Sequence, residues 1–369
     1  MIWIDEQPAL DRALDSVAAT RVVGVDTEAD SLHSYFDKVC LIQISIPGQD
    51  LLVDPLRKLD LARFGDVLAN RDITKILHGA DYDIRILNRD FGFTPANLID
   101  TMICAQLLGY EAIGLAALLE RHFGLQLDKS HQRADWAQRP LPRDMLEYAS
   151  TDTRHLIALA ETMRAELEAV GRWEWALEEF ARLEAIRWSE REEDEPFRRL
   201  KGIGSLDRRS LAVVRALHGF RDRLARAADR PPFKIFGNDL IIDAAKTKPR
   251  TDEELSKMKA LTPGHRQRFG REILRLVREA MALPEEQLPE RGESKPWLRD
   301  KELDARINAL KKVRDKVAAE LKIDPSVVAP RHVLAAVAAL KPKSVSELDA
   351  IPAMREWQKR LLGEALLSS

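Results

Sequence analysis

The feature that most constrains this chain is an internal repeat in its second half. Arg221-Asp222-Arg223-Leu224-Ala225 recurs as Arg314-Asp315-Lys316-Val317-Ala318, Lys248-Pro249-Arg250-Thr251 as Lys341-Pro342-Lys343-Ser344, and Glu254-Leu255 as Glu347-Leu348. Each pair is separated by 93 positions. A gapless offset held through separate motifs means two copies of one small helical domain, not a solenoid of short units. The Pro/Glu-rich stretch 284–296 reads as the linker between them.

Upstream the pattern differs. Apolar, β-branched runs at Arg21–Val25, Val39–Ile46 and Leu51–Val53, and a shorter one at Lys75–His78, read as strands bounded by Pro47, Gly48 and Pro55. Helical periodicity lies between and after them, at Leu61–Asn70 and Tyr82–Phe91. From Asp144 the chain turns helical, with Leu146, Ala149, Thr153, Leu156, Ala160 and Met163 at spacings of three and four. An acidic run, 190–195, then Pro196 mark a boundary. The expected organisation is an α/β domain over 1–195, a mixed sheet with packed helices, followed by all-α domains over 206–284 and 298–369.

Net charge divides along the same line. Residues 1–200 carry 23 Lys+Arg against 36 Asp+Glu, and residues 201–369 carry 35 against 24. A basic helical half suits a polyanion such as nucleic acid, and equally a solvated charged surface. No apolar stretch approaches the roughly 20 residues of a membrane span, and the first residues lack a secretory pattern. Cys40 and Cys104 sit among apolar neighbours, as small buried hydrophobes rather than a disulfide framework. The expectation is a soluble, cytoplasmic protein.

The chemistry lies in the acidic half. Asp26 and Glu28 close a strand, and residues two apart on a strand share a face. Alone, the pair is also an ordinary solvated strand end. In His78-Gly79-Ala80-Asp81-Tyr82-Asp83, a turn leads into a helix whose first turn holds Asp83, where an acid also suits the helix dipole. His78 reads as a satisfied core histidine. Tyr148 and Asp152, four apart, stack on one helix face, where a tyrosine is otherwise a core residue. Four hard oxygen donors without a His/Cys cluster suit Mg²⁺ or Mn²⁺ and not zinc. Two such ions would serve an in-line phosphoryl displacement.

In this order the motifs resemble the DEDD exonuclease superfamily in its tyrosine branch, and the ribonuclease D family within it. Leu41-Ile42-Gln43 after the first motif, and Asp135-Trp136 with Arg139-Pro140-Leu141 before the third, resemble that family too. The 93-residue repeat is similar to its tandem HRDC domains. The resemblance implies an RNase H-like fold and stepwise removal of nucleoside 5′-monophosphates from RNA 3′ ends, with tRNA precursors as substrate. It implies that Asp26 bridges two metals, Glu28 and Asp152 complete the nucleophile side, Asp83 holds the second ion, and Tyr148 positions and helps deprotonate the attacking water. Tyr35 and Phe36 stand where the family has aromatics, to stack on terminal bases or simply to pack. Gln132, Trp136 and Arg139 would line the approach, Trp136 by packing rather than stacking and Arg139 as a phosphate or scaffold contact. Asp100 reads as a helix N-cap.

One departure is Ala29, where many of these sequences carry Phe, which bears on the grip on the terminal base. In the basic half only Phe233, Phe236, Trp297 and Trp357 offer themselves for stacking, so Lys/Arg contacts to phosphate should dominate. Two other readings are a 3′→5′ DNA exonuclease, since the site alone does not read the sugar, and a binding adaptor with a retired nuclease domain. The presence of all four acids and the tyrosine weighs against the adaptor.

Overall fold

Six short segments pair into one mixed sheet. β1 (Ile2–Ile4), β2 (Val22–Ala29), β3 (Val39–Ile46), β4 (Gln49–Val53), β5 (Thr74–Leu77) and β6 (Leu98–Asp100) lie in the order β1-β4-β3-β2-β5-β6. β3 is antiparallel to both its neighbours, and the remaining pairs are parallel. This computed structural model describes residues 1–128, 130–189, 195–291 and 300–367. Most of the acidic run, the linker from 292 onward, Trp297 and the first residues of the predicted third domain lie outside the described residues.

Alternation along the strands builds the two faces. Val23, Val25, Ile42 and Ile44 point to one side, under α1 (Gln7–Ala18), α2 (Ala62–Ala69) and α3 (Asp81–Phe91), which contribute Leu10, Phe64 and Ile84 to the same core. Then come α4 (Thr101–Leu108), α5 (Leu115–Phe123), α6 (Arg143–Arg154), α7 (Leu156–Ala169) and α8 (Trp173–Glu184). α6 lays Met145 and Ala149 on Leu41 and Leu52 of the opposite sheet face. Cys40 and Cys104 form no disulfide and are buried.

The helical run from Asp144 is two helices, not one. It breaks at His155, whose ψ of −1° departs from the helix. α6 ends against β2 at Gly24, where an added Cβ would lie 2.9 Å from the Thr153 carbonyl. After the break, α7 directs Leu156 and Ala160 onto Ile76 of β5.

The helical repeats correspond element by element, except that the counterpart of the short fourth helix of the first copy is a 3₁₀ turn, Val345–Ala350. The first copy is α9 (Arg208–Ala227), α10 (Pro232–Ile235), α11 (Asn238–Thr247), α12 (Asp252–Ser256) and α13 (Pro263–Ala282). The second is α14 (Lys301–Leu321), α15 (Pro325–Val328), α16 (Arg331–Leu340) and α17 (Glu356–Leu367). Arg221 and Arg314 are both buried and donate to equivalent carbonyls, of Phe236 at 3.2 Å and of Ala329 at 3.1 Å. Lys248 and Lys341, each just past an equivalent helix, both take left-handed φ, +48° and +54°. Phe236 and Trp357 are buried core residues, so of the four stacking candidates only Phe233 is seen exposed.

The chain divides into two compact units that do not follow chain order. One holds Met1–Ala29, Lys38–Ser189 and Arg299–Ser369, and the other Asp30–Asp37 and Glu190–Leu298. Within the first unit the second repeat is fastened to α8. Trp357 stacks on Trp175 at 4.7 Å, and Arg355 forks onto the Glu179 carboxylate at 2.8 and 3.1 Å. Among the described residues no helix is long and apolar enough to cross a membrane.

Candidate active site

Asp26 and Glu28 project from the same face of β2, and the pairing sets Asp26 opposite Gln43 and Glu28 opposite Leu41. Both lie within the strand rather than at its end, because β2 continues to Ala29, where the register with β3 shifts. Thr27, between them, turns to the other side and donates its hydroxyl to Asp83 Oδ1. Motif one therefore tethers motif two directly.

Asp83 stands in the first turn of α3, and the entry into that helix is fixed by Asp100. The Asp100 carboxylate caps α4, accepting from the amides of Met102 at 2.8 Å and Ile103 at 3.2 Å. The same carboxylate accepts from the amides of Gly79 at 3.0 Å and Ala80 at 2.8 Å. Asp100 is thus the N-cap expected, with a second task that spacing alone does not reveal: it pins the turn that delivers Asp83. His78 Nδ1 pairs with Thr101 Oγ1 at 2.9 Å beside it, and burial lowers the imidazole pKa.

The third motif comes from α6. Tyr148 and Asp152 are one turn apart, and the phenol donates to the Asp152 carboxylate. Two contacts hold this end of α6 on the sheet: Ser45 Oγ with Thr153 Oγ1 at 2.7 Å, and Arg154 with Asp50 at 2.8 Å. His131 and Trp136 flank the Tyr148 ring at 5.7 and 6.0 Å. His131, which also reaches Asp144 Oδ2 at 3.2 Å, carries no recognisable sequence signal.

These five side chains form one electrostatic cluster. Burial, then Asp83, Glu28 and Asp152 in that order, hold the Asp26 carboxyl well above the usual range. Burial and then Asp152 and Asp83 push Glu28 up to about 9. Burial raises Asp152 to about 7, and burial raises Asp83 to about 6 against the opposing Thr27 hydrogen bond. The Tyr148 phenol is raised by burial and by Asp152, Glu28 and Asp26. Carboxylates so arranged repel one another unless cations or protons neutralise them. All donors are hard oxygens, the set Mg²⁺ or Mn²⁺ takes. Among the described residues no group of three or more His, Cys, Asp or Glu side chains is placed to hold a metal ion as the side chains stand. Beside Asp26, the fully buried Gln43 amide has neither its nitrogen nor its oxygen hydrogen-bonded. The donor chemistry fits divalent cations, and the orphaned amide leaves polar capacity for them or their waters.

The substrate-binding expectations fare differently. All five guanidinium N–H groups of Arg139 are used by the protein. They go to the Asp54 carboxylate at 2.6 and 2.7 Å, and to the carbonyls of Cys40 (2.7 Å), Trp136 (2.8 Å) and Gln138 (2.7 Å). No N–H remains for a phosphate, so Arg139 is a scaffold residue. Trp136 is 1% exposed and packs against Leu41, Met145 and Ala149, which corrects its place in the approach. Gln132 is exposed. Tyr35 and Phe36 belong to Asp30–Asp37, which groups with the first helical repeat.

Comparison with known proteins gives the family and the domain content. Residues 1–168 match a 3′-5′ exonuclease family model, and residues 210–277 and 304–369 each match the HRDC domain. Ribonuclease D of Acidiphilium cryptum is 33% identical over 292 residues, 78% of this chain and 74% of that one. Ribonuclease D of Nitrobacter hamburgensis is 31% identical over 350 residues, covering 94% and 89%. Among solved structures, a protein from Bifidobacterium adolescentis superposes with a TM-score of 0.84 at 29% identity, covering 100% and 96%. Escherichia coli RNase D, an exoribonuclease involved in structured RNA processing, superposes with a TM-score of 0.74 at 27% identity, covering 100% and 97%. With an exonuclease domain and two HRDC domains in this order, and relatives this similar over most of both chains, the chain belongs to the ribonuclease D family and is a 3′-5′ exoribonuclease.

Proposed function

We propose that the chain removes nucleoside 5′-monophosphates from the 3′ ends of structured RNA by metal-assisted hydrolysis, with tRNA precursors as the physiological class and the cytoplasm as the compartment. The observation that carries this reading is a buried cluster of four acids, Asp26, Glu28, Asp83 and Asp152, brought from β2, α3 and α6, in which burial raises every carboxyl and the neighbouring acids raise Asp26 and Glu28 further, so that the cluster calls for cations. Asp26, Glu28 and Asp152 would hold one ion, and Asp26 with Asp83 the other. When bound, such ions offset the carboxylate charge and acidify a water at the scissile phosphate.

The protein's own residues supply position. Thr27 and Asp100 fix Asp83, and the Ser45–Thr153 contact fixes α6 with Asp152 and Tyr148. The Tyr148 phenol, raised by burial and then by its acidic neighbours, keeps its proton on the hydrogen bond to Asp152, and its oxygen is left as an acceptor that would orient the attacking water.

A tRNA-like hairpin with a single-stranded 3′ tail, labelled at its 5′ end, tests the reading. A ladder receding from the 3′ end with Mg²⁺ or Mn²⁺ and absent in EDTA is expected, with nucleoside 5′-monophosphates released and a matched DNA degraded more slowly. Asp26→Ala and Asp152→Ala should each abolish the ladder while RNA binding survives. Full activity in either purified variant would mean the site is misassigned.

A further inference from the structure

The segment Asp30–Asp37 follows directly on the strand that carries Asp26 and Glu28, yet its contacts are with the first HRDC domain, in one compact unit. The amides of Tyr35 and Phe36 both donate to Asp229 Oδ1, each at 3.0 Å. The Tyr35 hydroxyl donates to Asp222 Oδ1 at 2.8 Å. The Arg226 guanidinium lies over both rings, 5.5 Å from Tyr35 and 5.7 Å from Phe36, and Lys234 Nζ meets His33 Nδ1 at 3.3 Å. Asp222 and Arg226, four apart, share a face at the end of α9, and Asp229 lies just past that end.

These contacts hold one ring inward and one outward. Tyr35 packs on the domain's core, while Phe36, edge-on to it at 4.9 Å, is 55% exposed. Phe233, next in the chain to Lys234, is 57% exposed, and Leu32 is 42% exposed. Among the described residues these three are the exposed large apolar side chains of this unit. Each lies in the anchored segment or beside a residue that anchors it. Exposed aromatic faces, a guanidinium over them and an adjacent ammonium are what a single-stranded nucleic acid uses for base stacking and phosphate contact.

The second copy of the domain serves as an internal control. At the positions 93 residues on from Asp222, Arg226 and Asp229 it carries Asp315, Ala319 and Lys322. The guanidinium and the bridging carboxylate are therefore not a requirement of the HRDC fold. They belong to the copy that holds the segment.

We propose that the first HRDC domain presents Phe36 and Arg226 as a stacking platform for the single-stranded 3′ tail of the RNA, with Asp222 and Asp229 as positioning residues. This rests on the exoribonuclease reading and extends it by assigning the grip on the tail to these residues. Asp229 fixes the two peptide groups on either side of Tyr35, the second of which leads into Phe36, so the outward ring is ordered before RNA arrives. Arg226 supplies a planar cation that stacks and contacts phosphate together.

The test uses the full-length protein and an RNA hairpin whose 3′ tail contains 2-aminopurine, with binding and fluorescence quenching measured in EDTA and hydrolysis measured separately in Mg²⁺. Arg226→Glu, Asp229→Ala and Phe36→Ala should each weaken tail binding about tenfold, the scale of one lost stacking contact, and diminish the quench. They should raise KM by about the same factor and leave kcat within about twofold. Arg226→Lys should recover part of the affinity and less of the quench. Arg226 is exposed, so its variants should remain folded. Unchanged affinity and quench in Arg226→Glu and Asp229→Ala would overturn the proposal, as would a fall in kcat at constant KM. If wild-type protein binds the tail in an Arg226-dependent way but hydrolyses nothing with Mg²⁺ or Mn²⁺, the exoribonuclease reading fails and the platform stands.

Discussion

Gly24 sits two residues before Asp26 on β2, and its missing side chain is what lets α6 close onto the sheet. In Gly24→Ala, the new Cβ would stand 2.9 Å from the Thr153 carbonyl oxygen and 3.5 Å from Leu156 Cβ. The first distance is shorter than ordinary carbon–oxygen contact by about 0.5 Å, and the obstacle is backbone, which cannot rotate away. The end of α6 must lift by roughly that amount, straining the 2.7 Å Ser45–Thr153 contact and carrying Asp152 and Tyr148 away from Asp26 and Glu28. Overpacking of this kind costs about 1–3 kcal/mol, which a domain of ordinary stability survives. Displacing reacting groups by up to about 1 Å costs as much as 10²-fold in rate. Single-turnover hydrolysis of the tailed hairpin should therefore slow by about 10- to 100-fold, with normal RNA affinity and a cooperative, slightly lowered melt. A rate within twofold of wild type would refute the reasoning, because it would mean that the seating of α6 on β2 does not set the catalytic geometry.

Arg139→Met strands the buried Asp54 carboxylate and should destabilise the protein by about 3–5 kcal/mol in denaturant melts, while KM for RNA in the folded fraction stays unchanged; a raised KM with unchanged stability would restore it as a phosphate contact. Lys75 is fully buried, donating to the Asn70 and Ile73 carbonyls at 2.6 and 2.7 Å, and burial lowers its ammonium from 10.5 to about 8. Between these values the unfolded chain binds more protons than the native one, so stability should rise with pH across the window, by up to about 3 kcal/mol. The denaturant midpoint should therefore climb from pH 7.5 to 10 in wild type and less in Lys75→Met; parallel curves would sink the assignment. Gly109 has φ +79°, and a Cβ there would lie 1.9 Å from the Lys322 carbonyl oxygen. Gly109→Ala should accordingly lower Tm strongly, whereas Lys322→Asp, which alters only an exposed side chain at that corner, should stay within about 1 kcal/mol of wild type.

What the sequence disclosed, and what it did not, follows from the range of the interactions involved. The helical repeat was legible because each copy reuses local signals: the buried arginine at 221 and 314, the left-handed lysine at 248 and 341, the helix that begins at 238 and again at 331. The acids and Tyr148 could be picked out because each sits in a short motif with its own strand or helix context. β1 and β6 left no such trace, being three residues each and defined by backbone pairing to distant strands. The break at His155 falls where the chain passes a glycine more than a hundred residues earlier, a closeness that no local pattern announces. Arg139 and Trp136 carried the right chemistry for a substrate contact, but nearby carbonyls, Asp54 and the core had already claimed them. Tyr35 and Phe36 stood close to the first motif in sequence, and only the fold shows them held by residues near position 225.

The two HRDC domains show how one repeated fold serves two ends. Each first helix finishes at a residue with left-handed φ, +43° at Asp229 and +57° at Lys322. That corner is part of the shared framework, but the atoms it offers differ. In the first copy the Asp229 side chain accepts two amides from the segment that follows the catalytic strand. In the second, the main chain does the joining: Arg172 donates to the Leu321 carbonyl at 2.9 Å, and the Lys322 carbonyl packs into the space at Gly109. A corner that docks through its backbone leaves its side chain free to vary, whereas one that docks through a carboxylate does not. Duplication thus supplied two equivalent corners. In one the main chain makes the joint, and in the other a side chain fastens the residues that would grip RNA.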